Sequence, residues 1–524
     1  MCQRVPGCES TVLAQCGRPT TIHMHQEIGC TYWRCGGGSG WITVVEVYKQ
    51  EVYQQINRDL WAGNSVLVTG PALNSMASIR WCLLIKPTAT ASNLADYALE
   101  YGYTKKLQGS DDMIFHVGID VPFRHINSST VLLQLFQFLC QLCHVPVADF
   151  VFMYDPVLGV DLEADSLEYE QSKQLVQSFN YHIDVAKRVV NAELSAMNKL
   201  GVINAVLTND SHVFPFGVKC VLLVNSDNWV YSTKSTPTNL AIDIYCAEII
   251  DQQLGIQEDG FILLALLLGS DFNEGVHGVG MKTAVALARH RFGKTLLHNY
   301  HQFSQVPELL NNFFIQLNHE IADEIELNTS KNLHRQSPRR THEFLDADFP
   351  SVDALEGLKI FTELVTHPSP PTPSCPLTPK WPYNVPHVSN IAAFCTTHLC
   401  RSTEFMYQEF HAKLYRGVII RMLCSKHVAY NVLNGELLVP VLQSSFNFDR
   451  FGRPFAFTLS TMIIRTNPPA LRGKKVCDSV HVEFNTSFFD IVTGTVIQNY
   501  VPQTVGVTIP IFILAKATRQ IVDS

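Results

Sequence analysis

No stretch of the 524-residue chain approaches the roughly 20 consecutive apolar residues that a membrane-crossing helix requires. The longest apolar run, FILLALLLG (261–269), has the length of a buried helix, and no membrane partner is expected. The opening MCQRVPGCES lacks the apolar core of a secretory signal. Basic charge is also short: 39 Lys and Arg face 47 Asp and Glu, for a net charge of -8. A chain that grips polyanions by overall basicity is thereby excluded, so any nucleic-acid contact must come from a local, salt-sensitive patch. Regular cysteine spacing is missing too. Fifteen cysteines are scattered along the chain, which points to reduced thiols in a cytosolic or nuclear protein. Cys140 and Cys143 form a CxxC, but inside the apolar LLQLFQFLCQLC, where core packing explains them. Cys2, Cys8, Cys16, Cys30 and Cys35, with His23 and His25, lack zinc-finger spacing. VLVTGPAL (66–73) reads as a strand and turn without the Lys and Ser/Thr of a phosphate loop.

What is present describes a folded chain of several domains, with 46% hydrophobic and 16% charged residues. Residues 1–91 form an N-terminal extension with no repeat or motif. From 92 to 255, strand-like segments (MIFHVGIDV, DFVFMYD, NAVLTND, VKCVLLVN) alternate with helical ones (NLADYALEYG, 131–143, SKQLVQSFN, DVAKRVVNAELSAMNKLG). That alternation predicts a mostly parallel sheet. A helical region follows over 256–365, then a proline-rich linker at 366–387 and a separate mixed unit at 388–524. The last unit opens helical (EFMYQEFHAKLYRGVIIRML) and continues as strands in FTLSTMIIRT, DSVHVEFNTS and FDIVTGTVIQ.

Two stretches carry chemistry. VLTNDSHVFPFG (206–217) reads as a buried strand ending on a polar tip with Asp210 and His212, where open α/β sheets place their sites. LLLGSDFNEGVHGVGMKTAVALA (266–288) reads as helix, glycine-rich turn, helix. Gly275, Gly278 and Gly280 let the backbone turn tightly, so that amides can face a phosphate and carbonyls a monovalent cation. For Lys282 and Thr283, phosphate contact and packing at the start of the second helix are both open.

GSDFNEGVHGVGMKTA resembles the GSDY-x-x-G-I-P-G-V-G-x-K-T-A motif of the XPG/flap-endonuclease superfamily, closest to its fungal Holliday-junction-resolvase-like branch. HVGIDV (116–121) is similar to the family's first strand, FLCQLCHVPVADFVFMYD (138–155) to its next helix and strand, and 175–217 to its internal region without a gap. The likeness covers about 92–365. It implies a PIN-like α/β domain with a twisted, mostly parallel sheet, a helix–hairpin–helix element and a small mixed α/β C-terminal unit. It further implies structure-specific cleavage of flap or branched DNA in repair or recombination, nuclear localisation, and two divalent metals, Mg²⁺ or Mn²⁺, held by carboxylates.

Carried over by position, that pattern is only partly kept. Asp120, Asp155, Asp210 and Asp271 match ligands. Val189 and Asn191 stand where the helix motif has its first two metal-binding glutamates, and Glu193 matches a third that is not usually a ligand. The D-x-D pattern becomes Asp210-Ser211-His212. Each of the three changes removes one negative charge, and imidazole suits Mn²⁺ or Zn²⁺ better than Mg²⁺. His212 is expected as a solvent-exposed turn residue rather than a ligand. The four aspartates are expected as remnants of the site, although any one alone would serve as a turn cap. The segment PVLGVDLEADSLEYE (156–170) is acidic where relatives carry Lys and Arg, and the family's glycine-led N-terminal segment has no counterpart. Three readings follow: an eroded nuclease that still binds DNA, an active metal-dependent endonuclease with an atypical site, or a protein-interaction scaffold. An exposed basic stripe of Lys282, Arg289, Arg291 and Lys294 would favour DNA binding.

Overall fold

The computed structural model describes residues 84–110, 113–121, 130–155, 163–224, 240–270, 272–333, 341, 344–345, 349–366, 385–425, 429–431, 436–439, 457–465, 479–495 and 504–522. Between residues 10 and 68 it describes five antiparallel strands, Ser10–Cys16, Arg18–Glu27, Cys30–Arg34, Ile42–Val44 and Val66–Val68.

A seven-stranded sheet organises the body. In chain order its strands are β1 (Thr90–Asn93), β2 (Phe115–Asp120), β3 (Ala148–Tyr154), β4 (His182–Val185), β5 (Ala205–Leu207), β6 (Cys220–Val224) and β7 (Ala241–Cys246). Their spatial order is β1-β7-β6-β5-β2-β3-β4. The five strands from β6 to β4 run parallel, and β7 and β1 close the other edge antiparallel. The fold class is thus the expected α/β architecture.

Both faces of the sheet are covered, as a parallel sheet requires, and the period-2 alternation sorts side chains between two cores. Phe115, Val117, Ile119, Phe150, Phe152, Ala205, Leu207, Leu222, Ile242 and Ile244 enter one core; Val151, Met153, Val206, Val221 and Tyr245 enter the other. On the second face lie the helices α4 (Val190–Lys199), α6 (Glu258–Leu268), α7 (Met281–Arg289), α8 (Phe292–Phe303), α9 (Pro307–Leu327) and α10 (Val352–Thr366). Gly118 sits under α4. A Cβ there would stand 2.6 Å from both Leu194 Cδ2 and Ile203 Cδ1, so the missing side chain sets the helix-to-sheet approach. Helix α6 is apolar all round and every residue from Gly260 to Leu268 is buried, as the run FILLALLLG foretold. Cys140 and Cys143 are buried core residues of the first face.

Four expectations need correction. DVAKRVV is not helical: His182–Val185 pairs as β4, and α4 begins only at Val190. Apolar-polar mixing in that segment serves a half-buried edge strand as well as a helix. The described part of FDIVTGTVIQ, 489–495, is not a strand; Ser487–Thr493 forms a helical turn capped by Gly494 at φ 68°. The body starts before residue 92, because Ile85 and Thr88 are buried and β1 pairs with β7 from Thr90 onward. Finally, the region after the proline-rich segment is not packed apart from the body. Helices α11 (Val388–Thr397), α12 (Thr403–Glu409) and α13 (Tyr415–Cys424) bury Ile391, Met406, Val418 and Met422 in the core of the first face, as does Val482 of the five-stranded antiparallel C-terminal sheet. Arg421, fully buried on α13, reaches the start of β3. It donates to the Ala148 carbonyl at 3.1 Å and to Asp149 Oδ1 at 3.2 Å, and lies over the Tyr181 ring. A buried guanidinium is tolerated only when it is paired and hydrogen-bonded in this way. Residues 367–384, most of the expected linker, lie outside the described residues.

Candidate functional site: a carboxylate edge and a glycine hairpin

Strands β2, β3 and β5 are adjacent and parallel, so their C-terminal tips share one edge of the sheet. Asp120 is the last residue of β2, Asp155 follows β3 directly, and Asp210 follows β5 after a two-residue step. Three of the four expected carboxylates therefore converge; Asp271 lies outside the described residues. Thr208, which sequence reasoning passed over, ties two of them together. Its buried hydroxyl donates to Asp120 Oδ2 at 2.8 Å and accepts from the Asp210 amide at 3.0 Å. Only its place between the strand and Asp210 marked it. Tyr169 donates its hydroxyl to the Asp155 carbonyl at 2.7 Å and fixes the end of β3.

The charges at this edge divide. Burial, set against the Thr208 hydrogen bond and reinforced by repulsion from Asp210 and Asp155, pushes the Asp120 carboxyl up to about 7. Asp210 goes the other way. Burial alone would raise it, but the His212 side chain and amide and the Asn191 amide outweigh burial and hold it below the usual range. Both of its oxygens are engaged: Oδ1 accepts from His212 N at 2.9 Å and Nδ1 at 2.8 Å, and Oδ2 accepts from Asn191 Nδ2 at 2.6 Å. His212 Nδ1 therefore carries the proton. The expectation of an exposed His212 is overturned; only 4% of it is accessible, because the turn of 211–213 folds the ring back onto Asp210.

Val189 caps α4 without a side-chain bond, and Asn191 is buried in its first turn. Glu193 turns away and accepts the backbone amides of Lys187 and Arg188, consistent with a structural role. A two-metal centre needs free anionic oxygens from several side chains. Here Val189 offers none, and both oxygens of Asp210 already accept from protein donors. Among the described residues no three His, Cys, Asp or Glu are disposed to hold a metal ion. Among the described residues, those at this edge do not fit a two-metal centre.

The hairpin joins α6 to α7. Gly269 ends α6 at φ 95°, and Ser270 and Asn273 bridge through backbone and side chains, with Ser270 Oγ to Asn273 Oδ1 at 2.7 Å. Asn273 Nδ2 returns to the Leu266 carbonyl at 2.9 Å. Gly275, at φ 85°, lies so close to this helix end that a Cβ would stand 2.6 Å from both Gly269 N and the Leu268 carbonyl carbon. Gly278 also has positive φ, and Gly280 is the N-cap of α7. The alternatives left open for the next residues divide between them: Thr283 is buried in α7 and Lys282 is exposed. Arg289, Arg291 and Lys294 are exposed as well. Arg289 Nε donates to the Leu254 carbonyl at 2.6 Å, and none of the four meets a carboxylate among the described residues at ion-pair distance. Residues 156–162 of the acidic segment lie outside the described residues, and Glu163–Ser178 forms helix α3.

The XPG I-region family pattern matches residues 185–271, a segment that contains Val189, Asn191, Asp210 and His212. That match, together with the flap-endonuclease relatives, supports the resemblance to the XPG/flap-endonuclease superfamily. Within this family the chain is 32% identical over 112 residues to flap endonuclease GEN homolog 1 of Mus musculus, a stretch covering 21% of this chain and 12% of the mouse protein. To flap endonuclease 1 of Picrophilus torridus it is 33% identical over 125 residues, covering 23% of this chain and 36% of the relative. The matched stretches thus span well under half of the relatives' length. The fold is shared with the Holliday junction-resolving enzyme GEN1, solved with product DNA and Mg²⁺, at TM-score 0.57 and 16% identity over 84% of this chain and 97% of that one. The PIN-like architecture expected for the family is therefore present. No helix among the described residues is long and apolar enough to cross a membrane.

Proposed function

We propose that this protein is a DNA-binding member of the family, directed at 5′-flap or Holliday-junction structures in repair or recombination, with cleavage weak or lost. The observation that carries the loss is Asp210, whose two oxygens are held by Asn191 and His212. The substitution of Asn for Glu at 191 matters most. A carboxylate facing Asp210 would need a cation between them, whereas an amide donates a hydrogen bond and needs none. The site is thereby charge-balanced from within. DNA binding rests on the exposed Lys282, Arg289, Arg291 and Lys294 beside a hairpin whose glycines keep the family spacing. Mg²⁺ or Mn²⁺, a monovalent cation at the hairpin, and a nuclear location are carried over from the family as part of this proposal.

The test is cleavage and binding of labelled 5′-flap and four-way-junction DNA in Mg²⁺ and, separately, in Mn²⁺, beside Asp120→Ala. Salt-sensitive binding without cutting is the expected result. Cutting at family rates that disappears in Asp120→Ala would overturn the proposed loss of catalysis. Neither binding nor cutting would leave the fold as a protein-interaction scaffold.

A further inference from the structure

Cys220 opens β6 and Cys246 closes β7, and the antiparallel register sets them directly opposite each other. The hydrogen bond from the Ala247 amide to the Lys219 carbonyl, 2.9 Å, brackets this pair from outside. It makes Cys220 and Cys246 a non-hydrogen-bonded pair, the type in which facing Cα atoms approach to about 4.5 Å. That lies at the short end of the about 4.4–6.8 Å window for disulfides. Both side chains are partly exposed, so a small oxidant reaches them without unfolding, whereas Cys140, Cys143, Cys395 and Cys424 are buried. The pair lies at the N-terminal end of β6, away from the edge that carries Asp210.

We propose that Cys220 and Cys246 are a redox-active dithiol that hydrogen peroxide closes into a cross-strand disulfide. The Cys246 sulfur is the attacking group. A hydrogen bond from Cys220 lowers its thiol to about 7, against burial and the Glu248 carboxylate, and raises Cys220 in turn. Cys246 is also the N-cap of α5 (Ala247–Leu254), where the helix dipole favours a thiolate. Tyr97, whose hydroxyl faces Cys220, is itself pushed up by burial and remains a neutral phenol. The thiolate attacks one peroxide oxygen: an S–O bond forms, the O–O bond breaks, and hydroxide leaves and takes a proton as water. Cys220 then attacks the sulfenic sulfur. The S–S bond forms, the S–O bond breaks, and a second hydroxide leaves with the Cys220 proton. Two thiols are oxidised, one peroxide is reduced, and two waters result.

The experiment uses the full chain. Iodoacetamide labelling at pH 7 followed by peptide mapping should find Cys246 modified several-fold faster than the exposed Cys400. Dilute hydrogen peroxide should then remove two titratable thiols and yield a linked Cys220–Cys246 peptide that dithiothreitol separates. Cys220→Ser should stop at a sulfenic acid on Cys246, trapped by dimedone. Labelling of Cys246 no faster than Cys400, or peroxide oxidation at both positions without a linked peptide, would overturn the proposal. The wild-type maps decide it even if the serine variant fails to fold.

Discussion

The hairpin between α6 and α7 and the strand tip at 208–213 both align with the family pattern, yet they keep it to different degrees. At the hairpin Gly269 and Gly275 stand where a Cβ would meet backbone, and Gly269, Gly275 and Gly278 have positive φ. The fold enforces them whether or not anything binds. At the tip, Val189, Asn191 and His212 stand where the family pattern has carboxylates, and Asn191 and His212 hold Asp210 in a hydrogen-bonded network. A metal site is a set of unfavourable carboxylate contacts that the metal repays. Once the metal is not needed, neutral donors stabilise the same geometry without it. Constraints imposed by backbone sterics outlast those imposed by a ligand.

The comparison breaks most violently at Gly275. Gly275→Ala forces a Cβ to 2.6 Å from two backbone atoms at φ 85°, and should cost about 3 kcal/mol or more in urea unfolding and abolish DNA binding. A tolerated alanine would mean that the hairpin is not held by contact with the end of α6. Next comes reconstruction of the tip. Val189→Glu, Asn191→Glu and His212→Asp together place three further carboxylates beside Asp120, Asp155 and Asp210. In EDTA the triple variant should lose on the order of 2–4 kcal/mol, with Mg²⁺ or Mn²⁺ recovering much of it. Nuclease activity appearing with that recovery would show that ligands alone were lost. Stability unaffected by metal would place the erosion deeper than the ligand set.

Asn191→Ala probes the network from one side. It deletes the 2.6 Å bond to Asp210 Oδ2 in a buried site, and should cost about 1–3 kcal/mol. Asp120→Asn should act in the opposite direction. The folded state holds Asp120 at about 7, against an ordinary 3.8. Below pH 3.8 both states carry the proton and no penalty exists. Between 3.8 and 7 the unfolded chain releases its proton first, so stability falls as pH rises, and above 7 the full penalty applies. The amide mimics the protonated acid and can still accept from Thr208. In EDTA, Asp120→Asn should therefore gain on the order of 1–2 kcal/mol at pH 8 and nothing at pH 4. A gain that does not vary with pH would show that Asp120 is not the buried acid described.

Much of this was legible in the chain itself, and the gaps have physical causes. Short apolar runs in MIFHVGID and DFVFMYD, set between helical segments, gave the strands, and the glycine spacing after 268 gave the hairpin, because both patterns follow from local geometry. The partnership of Asp210 with Asn191 was not legible; 19 residues separate them, and only the packing of α4 against the sheet turns an apparent lost ligand into a donor. His212 looked like any turn histidine, since its burial depends on neighbours from other elements. Arg421 was invisible as a buried residue for the same reason: its partner Asp149 lies 272 positions away. The short strand β4 and the helical turn at 487–493 fell to tertiary context over local propensity.

The smallest expected effect belongs to the hairpin's surface. Lys282 is exposed at the first turn of α7 and meets no carboxylate among the described residues, so its charge is available to a phosphate. Its neighbour Thr283 is buried and serves packing. If α7 is presented to DNA backbone, Lys282→Ala should weaken junction and flap binding alike and lower the slope of log affinity against log salt by about 0.9, the loss of one neutralised phosphate. Stability should change little, because the side chain is exposed. An unchanged salt slope would remove Lys282 from the interface and shift the proposed contact toward Arg289, Arg291 and Lys294. The tip and the hairpin would then differ less than their geometry suggests, each keeping its shape without its former ligand.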